Sequence, residues 1–299
     1  MRPASKGLAP AAAAFVIWGG FPLYFHLLQR VSSVQVIAHR VVWSCLFVLA
    51  WVGMRGELPK LRATLADRGV LGRLAATATL ITLNWLVYVW GVTNGHVIET
   101  SLGYFIGPLV NVLLGVVLLS ERLTPTQWTA VALAAVGVGY LTFMAGGLPW
   151  IALTLAFSFA TYGLLRKIVK VESLHGLAIE TLVLVPFALG YLLWCESAGT
   201  GALGHAGPAI DALLIGSGPL TAIALFLFAY GTRLLPYSTV GVLQYIAPTL
   251  QFVCGVFVLH EPFDASRAIG FTIIWAALLI YAGEGLRLSR KPAPRPCAL

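Results

Sequence analysis

Ten stretches of mostly apolar residues, near 8–28, 35–54, 71–92, 100–119, 126–144, 149–165, 174–195, 212–234, 239–259 and 267–286, take up nearly the whole chain. About 20 such residues make a helix long enough to cross a bilayer. Hydrocarbon also forces each crossing segment to satisfy its own backbone, which an α-helix does. The expected fold is therefore all-α and membrane-integral, with ten transmembrane helices and no room for a soluble domain. The composition agrees, with 59% hydrophobic and 10% charged residues against roughly 45–50% and 25% for an average soluble domain.

The net charge of +8 does not point to nucleic acid, because the Lys and Arg residues stand in the loops between apolar runs. With the N-terminus in the cytoplasm, sixteen of them fall in inside segments, Arg30 and Arg267 fall outside, and Arg40 lies within a helix. The positive-inside rule then puts both termini in the cytoplasm. The first apolar run is too long for a signal peptide and lacks a clean small-residue cleavage site, so it reads as a retained helix. Cys45, Cys195, Cys254 and Cys297 have no paired spacing, which indicates neither a disulfide framework nor a zinc site. Cys297 stands one residue short of a C-terminal prenylation box.

A shift of 140 residues lays "ETSLGYFIGPLVNVLLGVVLLSE" (99–121) on "TVGVLQYIAPTLQFVCGVFVLHE" (239–261) without a gap. Ile106, Pro108, Gly115, Val116, Leu119 and Glu121 coincide with Ile246, Pro248, Gly255, Val256, Leu259 and Glu261. Apolar composition alone would not align Pro, Gly and Glu in one register. The chain is expected to hold two copies of five helices, residues 1–146 and 147–299. Five is odd, so the second copy is inverted in the membrane. Inverted repeats of this kind characterise secondary transporters, with substrate held near the midplane at the repeat interface.

Gly107, Pro108 and Pro248 are accordingly expected to kink or gate their helices, since proline removes a backbone donor and frees a carbonyl. Tyr104, Gly107, Pro108, Asn111 and Gly115 form one stripe at three- and four-residue steps, repeated by Gln244, Ala247, Pro248, Gln251 and Gly255. Asn111 and the two glutamines either face a shared cavity or bond neighbouring helices. Gly103 and Gly107 also spell a G-x-x-x-G helix contact. "IAHRVVWS" buries His39 and Arg40 in the second helix, where arginine is costly. Arg40 shares a face with Trp43, so a guanidinium and an indole could hold a carboxylate and an aromatic group together. The alternative for Arg40 is to snorkel to the outer headgroups or pair with Glu99. Trp18, Trp43, Trp85, Tyr88 and Tyr162 are deep enough to join the same cavity. Glu180 is either a buried proton carrier or a solvated helix end, and Glu121 and Glu261 are expected to fix loop geometry.

"WGGFPLYF", "IAHRVVWS", "GHVIETSLGYFIGPLVNVLLGVVLLSERLTPTQW" and "ALTLAFSFATYGLLRK" together resemble the RarD-like branch of the EamA transporters, in the drug/metabolite transporter superfamily. The resemblance spans the chain. It implies a bacterial inner-membrane protein of two inverted EamA repeats that exports amino acids, other metabolites or drugs. A related branch exports aromatic amino acids, and RarD-like proteins are named for a link to chloramphenicol sensitivity. Two positions depart from the pattern: Gly107 replaces an expected asparagine, and His26 an expected lysine.

The expected function is alternating-access export of a small molecule, with aromatic amino acids first and hydrophobic drugs as the alternative. No cofactor is expected, the partners are substrate and lipid, and a monomer is compatible with the pattern. The sequence carries no G-x-x-x-x-G-K-[ST] or H-E-x-x-H, so neither ATP hydrolysis nor zinc proteolysis is indicated. A channel is permitted by the prolines but is less suited to an inverted repeat.

Overall fold

The computed structural model describes residues 3–119, 123–145, 147–169, 171–235 and 243–289. The described residues form α1 (Pro3–His26), α2 (Ser33–Met54), α3 (Leu58–Ala66), α4 (Arg68–Thr93), α5 (Val97–Leu119) and α6 (Pro125–Ala145). They continue as α7 (Trp150–Ile168), α8 (Ser173–Ser197), α9 (Pro208–Leu234), α10 (Ile246–Val253) with a π-helical continuation Cys254–Val258, and α11 (Ala265–Ser289). Eight of these are long and apolar enough to cross a membrane, and Trp150–Arg166 and Ile246–Val258 are shorter apolar helices. This is a multi-pass membrane protein. The sequence reading missed α3, a nine-residue helix too short and too polar to span. Its corner meets the start of α8 where His175 Nε2 lies 3.1 Å from Glu57 Oε2.

Helix starts follow their caps. Asp67 accepts hydrogen bonds from Gly69 N and Val70 N at 2.9 and 3.1 Å and starts α4. Thr124 and Gln127 form a reciprocal capping box around Pro125 at 2.9 and 3.2 Å. Asp264 caps α11 by accepting from Arg267 N at 2.8 Å, at the position 140 residues after Thr124.

The 140-residue shift is a property of the helices as well. Ser33 and Ser173, Arg68 and Pro208, and Pro125 and Ala265 begin corresponding helices. The packing obeys it too: α1 lies on α9 as α7 lies on α4, α5 on α7 as α10 on α1, and α2 on α9 as α8 on α4. The pairs α2–α8, α5–α10 and α6–α11 are each carried onto themselves by the exchange.

Small residues set the closest approaches. A Cβ at Gly103 would collide with Ala152 and Leu155 of α7, and one at Gly19 with Leu250 of α10. Gly107 is different. It is buried, yet an added Cβ would meet nothing within 4 Å, so only Gly103 of the G-x-x-x-G makes a close contact.

Pro108 sits inside continuous α5. At Pro248 the helix is interrupted: Leu243 is helical, the chain turns at Gln244 and Tyr245, and α10 starts at Ile246, where Gln244 O is the carbonyl whose helical donor Pro248 removes. A second irregularity of α10 lies further on, in the π-helical segment. His260 then adopts a left-handed φ of 53°, and this turn delivers Glu261 to the start of α5. There its carboxylate accepts from Val97 N and, at 2.8 Å, from Ile98 N, satisfying orphan donors at the positive end of the helix dipole. Glu121, the matching residue, lies outside the described residues. Glu261→Ala is expected to cost about 2 kcal/mol, since two buried N–H groups lose a charged acceptor. A thermal-unfolding midpoint lowered by several degrees in lipid nanodiscs would confirm it, and an unchanged midpoint would remove the cap from the account.

Candidate functional site

Arg40 is 2% exposed and stands seven residues past the first residue of α2. Its burial ends the snorkelling alternative. The Glu99 alternative also fails, because that carboxylate accepts from Ile151 N at 3.2 Å and caps α7. Instead Arg40 Nε donates to Thr221 Oγ1 on α9 at 2.8 Å. The guanidinium lies over the Trp85 ring at 4.1 Å from its centroid, with Phe21 and Phe25 at 5.4 and 5.5 Å. The indole beneath the cation is thus Trp85 of α4. Trp43, expected in that role, is among none of the cation–ring contacts of the described residues. Its backbone instead abuts Gly218, and its Nε1 is buried without a hydrogen-bond partner.

Among the described residues no carboxylate lies within ion-pair distance of Arg40, and its Nη1 is buried with no hydrogen-bond partner. A guanidinium carries five donors and no acceptor. Cation–π contact and one hydroxyl repay only part of its dehydration. The arrangement is a desolvated cation with a free donor, framed by aromatic faces.

Tyr24, Tyr88 and Tyr104 lie within electrostatic reach of the guanidinium. Tyr88 and Tyr104 are 5.7 Å apart between ring centroids, and the buried Tyr88 hydroxyl is likewise without a partner. Tyr104 donates to Asn84 Oδ1 at 3.0 Å, and the Asn84 amide donates to Leu155 O and Ser158 Oγ at 3.1 and 3.0 Å. Asn84 was missed from sequence although "LITLNWLVYVW" displays it as one amide in an apolar run. Thr221 left no such signal, because a helical threonine ordinarily bonds its own backbone, as this one also does to Ser217 O.

One turn beyond Ser158 on α7, Tyr162 points to a second polar cluster. Glu180 of α8 is 2% exposed, and its carboxylate meets Thr77 Oγ1 at 2.7 Å, Tyr162 Oη at 3.4 Å and Arg166 Nε at 3.7 Å. The carboxyl is buried and is not a solvated helix end. Tyr162 therefore bonds Glu180, while its ring packs against the same core cluster as Phe21, Phe25, Trp85 and Tyr88.

His39 is buried within electrostatic reach of Asp211 and is not among the groups that touch the guanidinium. Gln251 is 3% exposed and donates from Nε2 to Trp18 O at 3.1 Å. That carbonyl is the one whose helical donor Pro22 removes. Gln251 is thus a helix-to-helix bond on its donor side, with Oε1 left without a partner. Gln244 is half-buried in the turn before α10, and the Asn111 side chain lies outside the described residues.

The sequence model of the EamA-like transporter family matches residues 5–143 and 147–283. An uncharacterised transporter of Pseudomonas aeruginosa is 44% identical over 97% of both chains. The protein RarD of Escherichia coli is 40% identical, covering 96% of this chain and 97% of its own. The chloramphenicol-sensitive protein RarD of Pseudomonas aeruginosa is 36% identical over 99% of both. A solved crystal structure superimposes with a TM-score of 0.62 at 18% identity, over 96% of this chain and 99% of that one. At that identity the likeness is one of fold.

Proposed function

The chain belongs to the EamA-like transporter family, in its RarD-like branch, and on that premise we propose that it exports aromatic amino acids or related carboxylates by alternating access. It is a membrane transporter of ten helices in two inverted repeats, residues 1–146 and 147–299. It sits in a bacterial inner membrane with both termini cytoplasmic. Supporting the inverted arrangement are the recurrence of helix starts at one shift and the exchange of packing partners under it. The direction of transport follows the family resemblance.

One observation carries the substrate class: the buried Nη1 of Arg40 has no partner while Trp85 lies under the guanidinium. A substrate carboxylate would complete that cation, and Tyr88, Tyr104 and Phe25 would receive a ring. The Tyr88 hydroxyl supplies a further polar contact. Gly107 stands on the Tyr104 stripe with free space beside it, which a bulky side chain of a ligand could fill. Chemistry on a bound compound has no support in these groups, which hold no nucleophile with a positioned base.

The test is saturable uptake of labelled tryptophan, phenylalanine and a small non-aromatic amino acid into proteoliposomes, with tryptophan and tryptamine as competitors. Tryptophan should compete and tryptamine, which lacks the carboxylate, should fail. Equal competition would sink the role given to Arg40. The second reading, efflux of a hydrophobic drug, draws on the name of the chloramphenicol-sensitive relative. A neutral drug would use the rings and leave Nη1 without a counter-charge, so uptake of labelled chloramphenicol insensitive to carboxylates would favour it.

A further inference from the structure

Glu180 stands 140 residues after Arg40, and each lies seven residues past the start of its helix. The bonding is reciprocal. Arg40 on α2 donates to Thr221 of α9, and Glu180 on α8 meets Thr77 of α4. Since α4 and α9 correspond under the same shift, each charged residue bonds a threonine on the third long helix of the other half. α2 and α8 pack on each other, so the cation and the carboxyl flank one pseudo-symmetry axis.

The hydrogen bonds around Glu180 suit either charge state. Ionised, its carboxylate accepts from Thr77 Oγ1 at 2.7 Å and from Tyr162 Oη at 3.4 Å, and Leu74 O keeps its helical bond within α4. Protonated, its O–H donates to Thr77 Oγ1 while the Thr77 hydroxyl turns to Leu74 O at 2.9 Å. Arg166 does not lock the ionised form, because its Nε is 3.7 Å from Oε1 and its Nη1 has no hydrogen-bond partner.

Facing the carboxyl are Arg166 and Tyr162 from α7 and Thr77 from α4. α2 brings Cys45 beside Thr181, and the surrounding core cluster contributes Leu61 of α3 and Ala222 of α9. A cationic substrate would meet Arg166, and the packing leaves little room for one. A proton needs no room.

We propose that Glu180 is the proton-binding site that couples this transporter to a proton gradient, with Thr77 as its positioning partner. This rests on the transport reading above. A proton taken from one aqueous phase neutralises the carboxylate and is released as a proton to the other. Protonation removes the ionic attraction between Arg166 and Glu180, the charged link between α7 and α8, so proton occupancy biases how that end of the bundle closes.

Two measurements on the full chain in lipid test it. Infrared difference spectra across a pH titration need no substrate: a titrating protonated-carboxyl band is expected, lost in Glu180→Gln and kept in Glu99→Gln. Thr77→Val should shift its midpoint, and Glu180→Asp should retain a titrating band, which guards against misfolding of the amide variant. No band removed by Glu180→Gln would overturn the proposal. In proteoliposomes, Glu180→Gln should lower gradient-driven tryptophan uptake relative to its own counterflow by about tenfold or more, within the usual span of coupling free energies. Undiminished gradient drive in the folded variant would also overturn it. Should the parent protein carry no tryptophan, the amino-acid reading fails and the infrared result decides the proton site alone.

Discussion

Arg40→Met is expected to lower transport by about two orders of magnitude while leaving the protein folded and melting no lower than the parent. The two halves of this result come from the same fact. A buried charge without a counter-ion is costly, and methionine of similar length replaces it with an apolar chain that packs against Phe21, Phe25 and Trp85. What is lost is a hydrogen bond to Thr221 and the cation–π contact, together about 2–4 kcal/mol before the desolvation saved. A charge-assisted bond to a carboxylate is worth about 1.5–3 kcal/mol, which puts the loss in affinity at roughly tenfold to a hundredfold, with the orientation of the ring lost besides. Arg40→Lys should keep part of the binding and lose its geometry, because an ammonium cannot offer the planar fork. Uptake and thermal midpoints measured on the same preparations check both. A large fall in stability with Arg40→Met would mean that the cation holds helices together and does not wait for a ligand.

Much of this fold was legible because a bilayer leaves few choices. Apolar runs of about 20 residues specify helices, and the shift that aligned Pro108 with Pro248 also aligns helix starts far from that segment. α3 was not legible, since nine residues with a proline near the start carry too little periodicity. The two prolines were legible only in part: a proline in an apolar run suggests a kink, yet α5 runs on through Pro108 while the helix breaks at Gln244 and Tyr245 before Pro248, and only the backbone reveals which applies. Of the site, Arg40 was visible as a charge in a hydrophobic run, and so was its need for an aromatic face. Its partner could not be read from helical spacing. Trp43 shares the helix face by sequence, whereas Trp85 reaches the cation from another helix. Gln251 taught the same lesson, because the carbonyl it satisfies was vacated by Pro22, in a helix more than two hundred residues away. Sequence spacing exposes contacts within a helix; contacts between helices depend on packing.

That packing is why Gly218 is expected to be as sensitive as any residue that could touch a substrate. A Cβ on it would enter the backbone of Trp43 and Ser44, with no flexible side chain in the way to yield. Ser44 also donates its hydroxyl to Gly218 O at 3.2 Å, so α2 and α9 are joined at the contact itself. Gly218→Ala should cost about 1–3 kcal/mol through overpacking, and Gly218→Leu more, enough to threaten folding. Thr221 lies three residues along α9 and Arg40 one turn before Ser44 on α2. Spreading the helices at Gly218 therefore lengthens the bond that holds the guanidinium over Trp85. For Gly218→Ala the expected signature is a lowered melting midpoint together with weakened substrate binding, the reverse of Arg40→Met, where binding falls without loss of stability. Gly216→Ala is the control on the same helix, since its added Cβ would meet only the end of the Tyr24 side chain, at 3.0 Å. Equal stability of the two alanine variants would show that α2 and α9 can move apart freely, and the position of Arg40 would then have to be set by α1 and α4.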